Sequence, residues 1–292
     1  MRHAVFTIVQ DEPVFFPLWY RYYSRHYKPQ NIYVLYHPLF EEESGGEPTW
    51  LKVPLFNDPN TRTFRDMNIV RVFREKSFDH TWLRAQVEQF AAFLLGSHDT
   101  VTFTEVDEIL ALDPYRVNDG SLMRWLAIWC RQRRPAVRAT GYEVVHQFDD
   151  EPDLDLDEIQ YKAGRVLRDR GWWYPSEIYS KTLIWTAPPQ WDNGFHEAFI
   201  PDGAGAVMPL VLGREPELLL LHLHKVDYCV AAARLRRTAA RDWNKPDTRD
   251  RVGIQNRFTS EAQLKNWWYK SIDHPAANAP LVQIPDDIRS II

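Results

Sequence analysis

Val101-Thr102-Phe103-Thr104-Glu105-Val106-Asp107-Glu108-Ile109-Leu110 is an apolar, β-branched run that delivers three carboxylates within four residues. Residues 101–104 read as a buried strand, because β-branched and aromatic side chains suit a packed, pleated surface. Ligands of open α/β sheets bind at the carboxyl ends of such strands, so Glu105, Asp107 and Glu108 are expected at the mouth of a crevice. In extended chain Glu105 and Asp107 share a face and Glu108 points the other way. Two carboxylates on one face suit a hard divalent cation. The plainer alternative is that they solvate a loop or cap the next helix.

Upstream of this run, the spacing predicts a helix over about 79–95. Trp82, Val87, Phe90, Phe93 and Leu94 turn to the sheet, while Arg84, Gln86 and Glu88 lie elsewhere. At the N-terminus, residues 3–9 read as a strand and Pro13 suits the first turn of a helix, with Asp11 or Glu12 near its positive end. Phe16, Leu18, Trp19, Tyr22 and Tyr23 recur at helical spacing, and residues 31–36 read as a second strand. The opening is therefore βαβ, which predicts an α/β fold with a mostly parallel central sheet flanked by helices. Its first turn lacks the glycine fingerprint of a dinucleotide site. Residues 51–56 read as a short edge strand, since Pro54 cannot donate to a ladder.

Downstream, Asp113-Pro114 signals a turn before an aromatic segment at 121–130, and Val144, Val145 and Phe148 suggest a further strand. Another is expected at 180–185. Leu218 to Leu221 form a buried strand that reaches His222, His224 and Asp227. An Ala/Arg-rich helix is predicted over about 226–242, and a second begins near Ser260, which forms a capping box with Gln263 and carries Leu264, Trp267 and Trp268. The simplest partition is a catalytic domain over 1–230 and a helical C-terminal extension over 231–292.

Composition sets the outer bounds. The 292 residues are 45% hydrophobic and 14% aromatic, enough for a sizeable core in one large domain or two smaller ones. A formal charge of −5 argues against general nucleic-acid binding. Residues 149–158 are strongly acidic, whereas Arg234, Arg236, Arg237, Arg241, Lys245, Arg249, Arg251 and Arg257 make a basic stretch suited to phosphates or an anionic membrane face. Cys130 and Cys229 read as buried free thiols of a reducing compartment. Without a long apolar run or a signal peptide, a soluble, cytoplasmic protein is expected, peripheral at most to the inner membrane face.

Three clusters stand at predicted strand ends: Asp11-Glu12, Glu105 with Asp107 and Glu108, and His196-Glu197 with His222, His224 and Asp227. An α/β topology brings such ends together. His222 and His224 share a strand face, and imidazole with carboxylate suits Mn²⁺ or a related ion.

Thr7-Ile8-Val9-Gln10-Asp11-Glu12-Pro13 followed by Trp19-Tyr20-Arg21-Tyr22-Tyr23 resembles the opening of glycosyltransferases of the family 2 and family 92 type. The block from Phe103 to Leu110 resembles the one those enzymes write as Asp-x-Asp-Glu, with Glu105 in the place of the first Asp. Gly194-Phe195-His196-Glu197 and Leu221 to Asp227 resemble their downstream blocks, so the likeness covers about 1–235 in order. It implies a GT-A (Rossmann-like) fold, a nucleotide-diphosphate sugar donor, Mn²⁺ or Mg²⁺ on the diphosphate, and a glycan, polysaccharide or lipid-linked hydroxyl as acceptor. Carried onto this chain, it makes Asp107 the metal ligand, with Glu105 auxiliary and His224 third. Thr7, Asp11 and Glu12 would line the base and ribose pocket, with Arg84 also on the donor side. Glu197 would be the general base of an inverting transfer, with Asp227 in reserve. Two other classes fit the same residues: a metal-dependent phosphoesterase or nucleotidyltransferase using Asp107, His222 and His224, and a non-catalytic carbohydrate- or nucleotide-binding module.

Overall fold

The computed structural model describes residues 1–10, 12–37, 68–71, 79–117, 120–156, 166–201, 207–239, 258–273 and 280–292. Asp11, the edge strand expected at 51–56, and Arg241, Lys245, Arg249, Arg251 and Arg257 lie outside the described residues.

The architecture is α/β, with a large mixed sheet flanked by helices in the Rossmann-like manner. Strands β1 (His3–Val9), β2 (Ile32–Tyr36), β3 (Asn68–Arg71) and β4 (Thr100–Phe103) form its parallel part, in the order β3-β2-β1-β4. Beyond β4 the sheet is mixed, where a parallel continuation was expected. The strand β8 (Thr182–Trp185) runs antiparallel to β4 and to the long β6 (Ala136–Val145). On its other edge β6 takes β12 (Arg214–Lys225) in parallel, and β12 pairs antiparallel with β5 (Glu108–Leu112). Two antiparallel steps restore direction, so β12 runs the same way as β1 and β4 and ends on the same edge.

The helices follow from their sequences. In α1 (Phe15–Ser24) nine of ten residues are buried, which makes it a core helix rather than an amphipathic one. It starts after Pro13, and no acidic side chain sits in its first turn. The α2 helix (His80–Leu95) is capped by Asp79, whose carboxylate accepts from the Trp82 amide at 2.9 Å. Its buried stripe is Leu83, Val87, Ala91 and Leu94, with small Ala91 at the sheet, and Phe93, expected inward, is 73% exposed. The remaining long helices are α3 (Leu122–Cys130), α4 (Tyr228–Ala239) and α5 (Glu261–Asp273). At the start of α5 the Gln263 amide donates to Ser260 Oγ at 3.3 Å, while Gln263 Oε1 reaches back to the Thr259 amide at 2.8 Å, the expected box one residue displaced.

Three corrections follow, two in the chain's second half and one at the cysteines. The C-terminal extension is not purely helical, because β13 (Val282–Gln283) joins the large sheet beside β7 (Trp172–Pro175). Ile284, Ile288 and Ile292, the middle one within the short α6 (Asp286–Arg289) and the others flanking it, enter the main core, so apolar burial sews this end onto the large sheet. A separate three-stranded sheet, β9 (Gln190–Trp191), β10 (Ala198–Pro201) and β11 (Val207–Pro209), packs through Trp191 and Phe195 onto Phe103. Cys130 and Cys229 are free, but Cys130 is half-buried and Cys229 exposed, where burial was expected. Among the described residues no helix is long and apolar enough to cross a membrane.

Candidate functional site

After Phe103 the chain turns instead of staying extended. The Glu108 amide donates to the Glu105 carbonyl at 3.0 Å, and Glu108 Oε2 accepts from the Glu105 amide at 2.9 Å. This turn undoes the alternation expected of a strand and sorts the carboxylates differently. Glu105 and Glu108 both close on the buried ammonium of Lys181, at 2.7 Å each. Burial opposes the charge on Glu105, yet Lys181 outweighs it and holds this carboxyl below its ordinary value. Glu108 is deeper; burial pushes its carboxyl up in spite of Lys181. Asp107 takes other partners, Arg234 and His224. Glu105, expected as an auxiliary metal ligand, is not in the group of ligand-type residues that gathers around Asp107; one of its oxygens pairs with Lys181 instead.

Asp107 instead meets the end of β12, where the Leu223 amide donates to its carbonyl at 2.8 Å. One atom each of Asp107, His222 and His224 lies within 4.8 Å of the others. The His222 ring is fixed from two sides. Its Nδ1 is 3.0 Å from Glu143 Oε1, the neighbour across the β12–β6 register, and its face stacks on Tyr179 at 3.8 Å. Burial works against a proton on His222, but Glu143 prevails and raises its pKa. Tyr179 reaches this position because the turn carrying it crosses β6 at Gly141, where a Cβ would lie 2.2 Å from the Tyr179 carbonyl. That close approach requires glycine. The His224 ring lies parallel to His222 at 5.8 Å.

A guanidinium completes the cluster. Arg234 of α4 sets Nη1 2.5 Å from Asp107 Oδ2 and 3.2 Å from His224 Nδ1, and its Nε 3.0 Å from Glu12 Oε1. Arg237 adds a longer contact to the same Glu12 oxygen, 3.5 Å. Burial opposes the charge on Asp107, and Arg234, with both histidines, overcomes it and holds the carboxyl well below the usual range. Burial, with Arg234 adding to it, holds the His224 pKa below the ordinary imidazole value. Arginine has only hydrogens to offer, so the 3.2 Å contact requires a lone pair on His224 Nδ1. The longer 3.5 Å approach of that nitrogen to Asp107 is proximity rather than a second hydrogen bond.

The other expected site residues fall elsewhere. Thr7 is fully buried on β1 and its hydroxyl has no partner, so it packs rather than lines a pocket. Glu12 sits at the cluster but serves Arg234, and Asp11 is outside the described residues. Arg84 donates to the Trp191 carbonyl at 3.2 Å and pairs with Glu88 along α2 at 3.8 Å. Glu197 is exposed on the small sheet, where its amide bonds Asp192, and it does not join the cluster. Asp227 is spent on structure: Oδ1 caps α4 through the Val230 amide at 2.8 Å, and Oδ2 accepts from Arg170 and from the Leu154 amide, each at 2.8 Å.

Asp107 and His224 are thus brought together as the sequence suggested, with His222 as the third member. Lys181, Glu143 and Tyr179 were not identified as site residues, and Arg234 was read only as part of a basic stretch, without its place beside Asp107 and His224. Glu143, within β6, and Lys181, immediately before β8, carry a local signal, a charge set beside apolar strand residues, which burial tolerates only with a partner. Compared with protein-family models and with curated protein sequences, the chain matches none.

Proposed function

We propose that the chain is a glycosyltransferase of the GT-A kind, moving a sugar from a nucleotide-diphosphate donor to a hydroxyl of a glycan, polysaccharide or lipid-linked acceptor. One observation carries this reading. Glu12 follows β1, Asp107 follows β4, and His222 and His224 end β12, so groups from three co-directional strands meet Arg234 on one edge of the sheet. That edge is where open α/β sheets bind nucleotides.

The donor atoms fit a divalent ion of the Mn²⁺ type: one carboxylate and two imidazoles, with Glu143 behind His222 as orienting carboxylate. Such an ion, when bound, neutralises charge on a departing diphosphate. The chain's own cations serve the same end. Arg234 and Arg237 present forked donors that match phosphate oxygens, and Glu12 keeps the first of these oriented. This use of the arginines favours phosphate contact by α4 over contact with a membrane face. With Glu197 remote and Asp227 occupied, the base role passes to Glu105, whose side chain is 39% exposed beside Asp107. Its carboxylate stays ionised against Lys181 and can accept a proton from an acceptor hydroxyl.

A panel of UDP-, GDP-, CMP- and dTDP-sugars with and without Mn²⁺, read as thermal shifts on wild type and Asp107→Asn, tests the proposal. One donor that raises the melting temperature only with Mn²⁺, and only in wild type, supports it. No shift with any donor in a folded protein overturns it in favour of a phosphoesterase or a non-catalytic module.

A further inference from the structure

Arg234 stands where a cation bound by this cluster would stand. Its Nη1 takes the Asp107 Oδ2 lone pair at 2.5 Å and the His224 Nδ1 lone pair at 3.2 Å, ligand-type atoms only 3.5 Å apart on two of the cluster's three residues. The same side chain is anchored through Nε to Glu12 at 3.0 Å and lies 5.3 Å from the Phe15 ring centroid. A guanidinium and a divalent ion cannot share one carboxylate oxygen and one imidazole nitrogen at bonding distance, because both are positive and both need the same lone pairs. Resting on the transferase reading, we propose that Arg234 is a built-in competitor for the metal: it holds Asp107 and His224 in register while the site is empty, and leaves them when a diphosphate draws it away.

The consequence is linkage. A diphosphate offers Arg234 forked, doubly charged acceptors in place of Asp107 and His224. Binding of the nucleotide thereby frees the ligand atoms, and binding of the metal frees the arginine, so each ligand raises the affinity for the other by the same factor. The design has a clear chemical use: metal is held firmly only when the substrate that needs it is present. Glu12 keeps the guanidinium within reach in both states, since it bonds Nε and leaves the Nη atoms to exchange partners.

The test is a Mn²⁺ titration followed by the EPR signal of the free ion, on wild type, Arg234→Gln, Arg234→Lys and the double variant Arg234→Gln with Asp107→Asn. Removing the competitor should tighten Mn²⁺ binding about tenfold in Arg234→Gln without nucleotide, within the usual range of such couplings. Arg234→Lys should fall between, because a point charge cannot hold both partners at once, and it carries the test where the glutamine variant does not fold. The gain should vanish in the double variant. UDP should raise the wild-type affinity for Mn²⁺ beyond its own chelation and do so no longer in Arg234→Gln. Equal Mn²⁺ affinity in wild type and both single variants overturns the competitor role while leaving the metal-dependent transferase in place. No Mn²⁺ binding by any variant, with or without UDP, overturns both.

Discussion

Among the described residues two groups pair histidine with carboxylates at ligand spacing, Asp107-His222-His224 and His146-Asp153-Asp227. They differ in where their lone pairs go. In the second, His146 Nδ1 accepts from the Tyr228 amide at 3.1 Å, which leaves its Nε2 hydrogen for the Glu151 carbonyl at 3.0 Å. Both Asp227 oxygens are taken by backbone amides and by Arg170, a fully buried side chain that also bonds the carbonyls of Pro152, Asp169 and Val226. Asp153 is exposed and accepts from the Cys229 thiol at 3.4 Å. That group is a knot tying the loop at 152–154 to the start of α4. In the first group the lone pairs face one another and the Arg234 guanidinium, which the proposed exchange with a diphosphate would draw away. Proximity of ligand-type residues is common to both; only the availability of their lone pairs separates a site from a brace.

The sharpest way to break this contrast is to cut the brace. Asp227→Ala leaves Arg170 buried without its counter-charge and should cost about 3–5 kcal/mol in denaturant unfolding, with Mn²⁺ affinity unchanged. A variant that keeps its stability but loses turnover would return Asp227 to catalysis. Gly141→Ala forces a Cβ onto the Tyr179 carbonyl and should cost about 1–3 kcal/mol by overpacking. Because it displaces the turn whose tyrosine stacks on His222, it should also weaken Mn²⁺ binding, which a purely local strain would spare. Glu143→Gln keeps the shape behind His222 and removes the charge that orients it. A loss of about 10–100-fold in Mn²⁺ affinity is expected, with a near-native melting curve; an unaltered affinity would make Glu143 a packing residue. The smallest effect is the pH response of the brace. Burial, with Arg170 adding to it, lowers the pKa of His146, so the folded state leaves it neutral while the unfolded chain takes up a proton below about 6.5. Its contribution to stability is present above that pH and is lost as pH falls, at up to about 1.4 kcal/mol per pH unit for one proton. His146→Gln should flatten that part of the profile measured by denaturation.

Much of the fold was legible because its signals are local. The strand at 101–104, the leucine run before His222, the Asp79–Leu95 helix and the Ser260 cap each rest on side-chain spacing within one element, and each is found. Phe93 was misplaced because an aromatic one step off a narrow stripe looks apolar enough to be inside. Glu105 was expected on one face with Asp107, but alternation assumes extended chain, and a turn of four residues instead set its carboxylate against Lys181.

By itself, then, the sequence determined the α/β class and placed Asp107 and the His222-x-His224 pair at the ends of buried strands, since burial period and strand length are properties of neighbouring residues. Only the tertiary structure decided which charges meet. Arg234 reaches Asp107 across 127 positions and Lys181 reaches Glu105 across 76, and such partners are set by the order and direction of β4, β6, β8 and β12. Electrostatic pairing acts over a few ångströms in space, and no local pattern in the chain encodes which distant residue will occupy them.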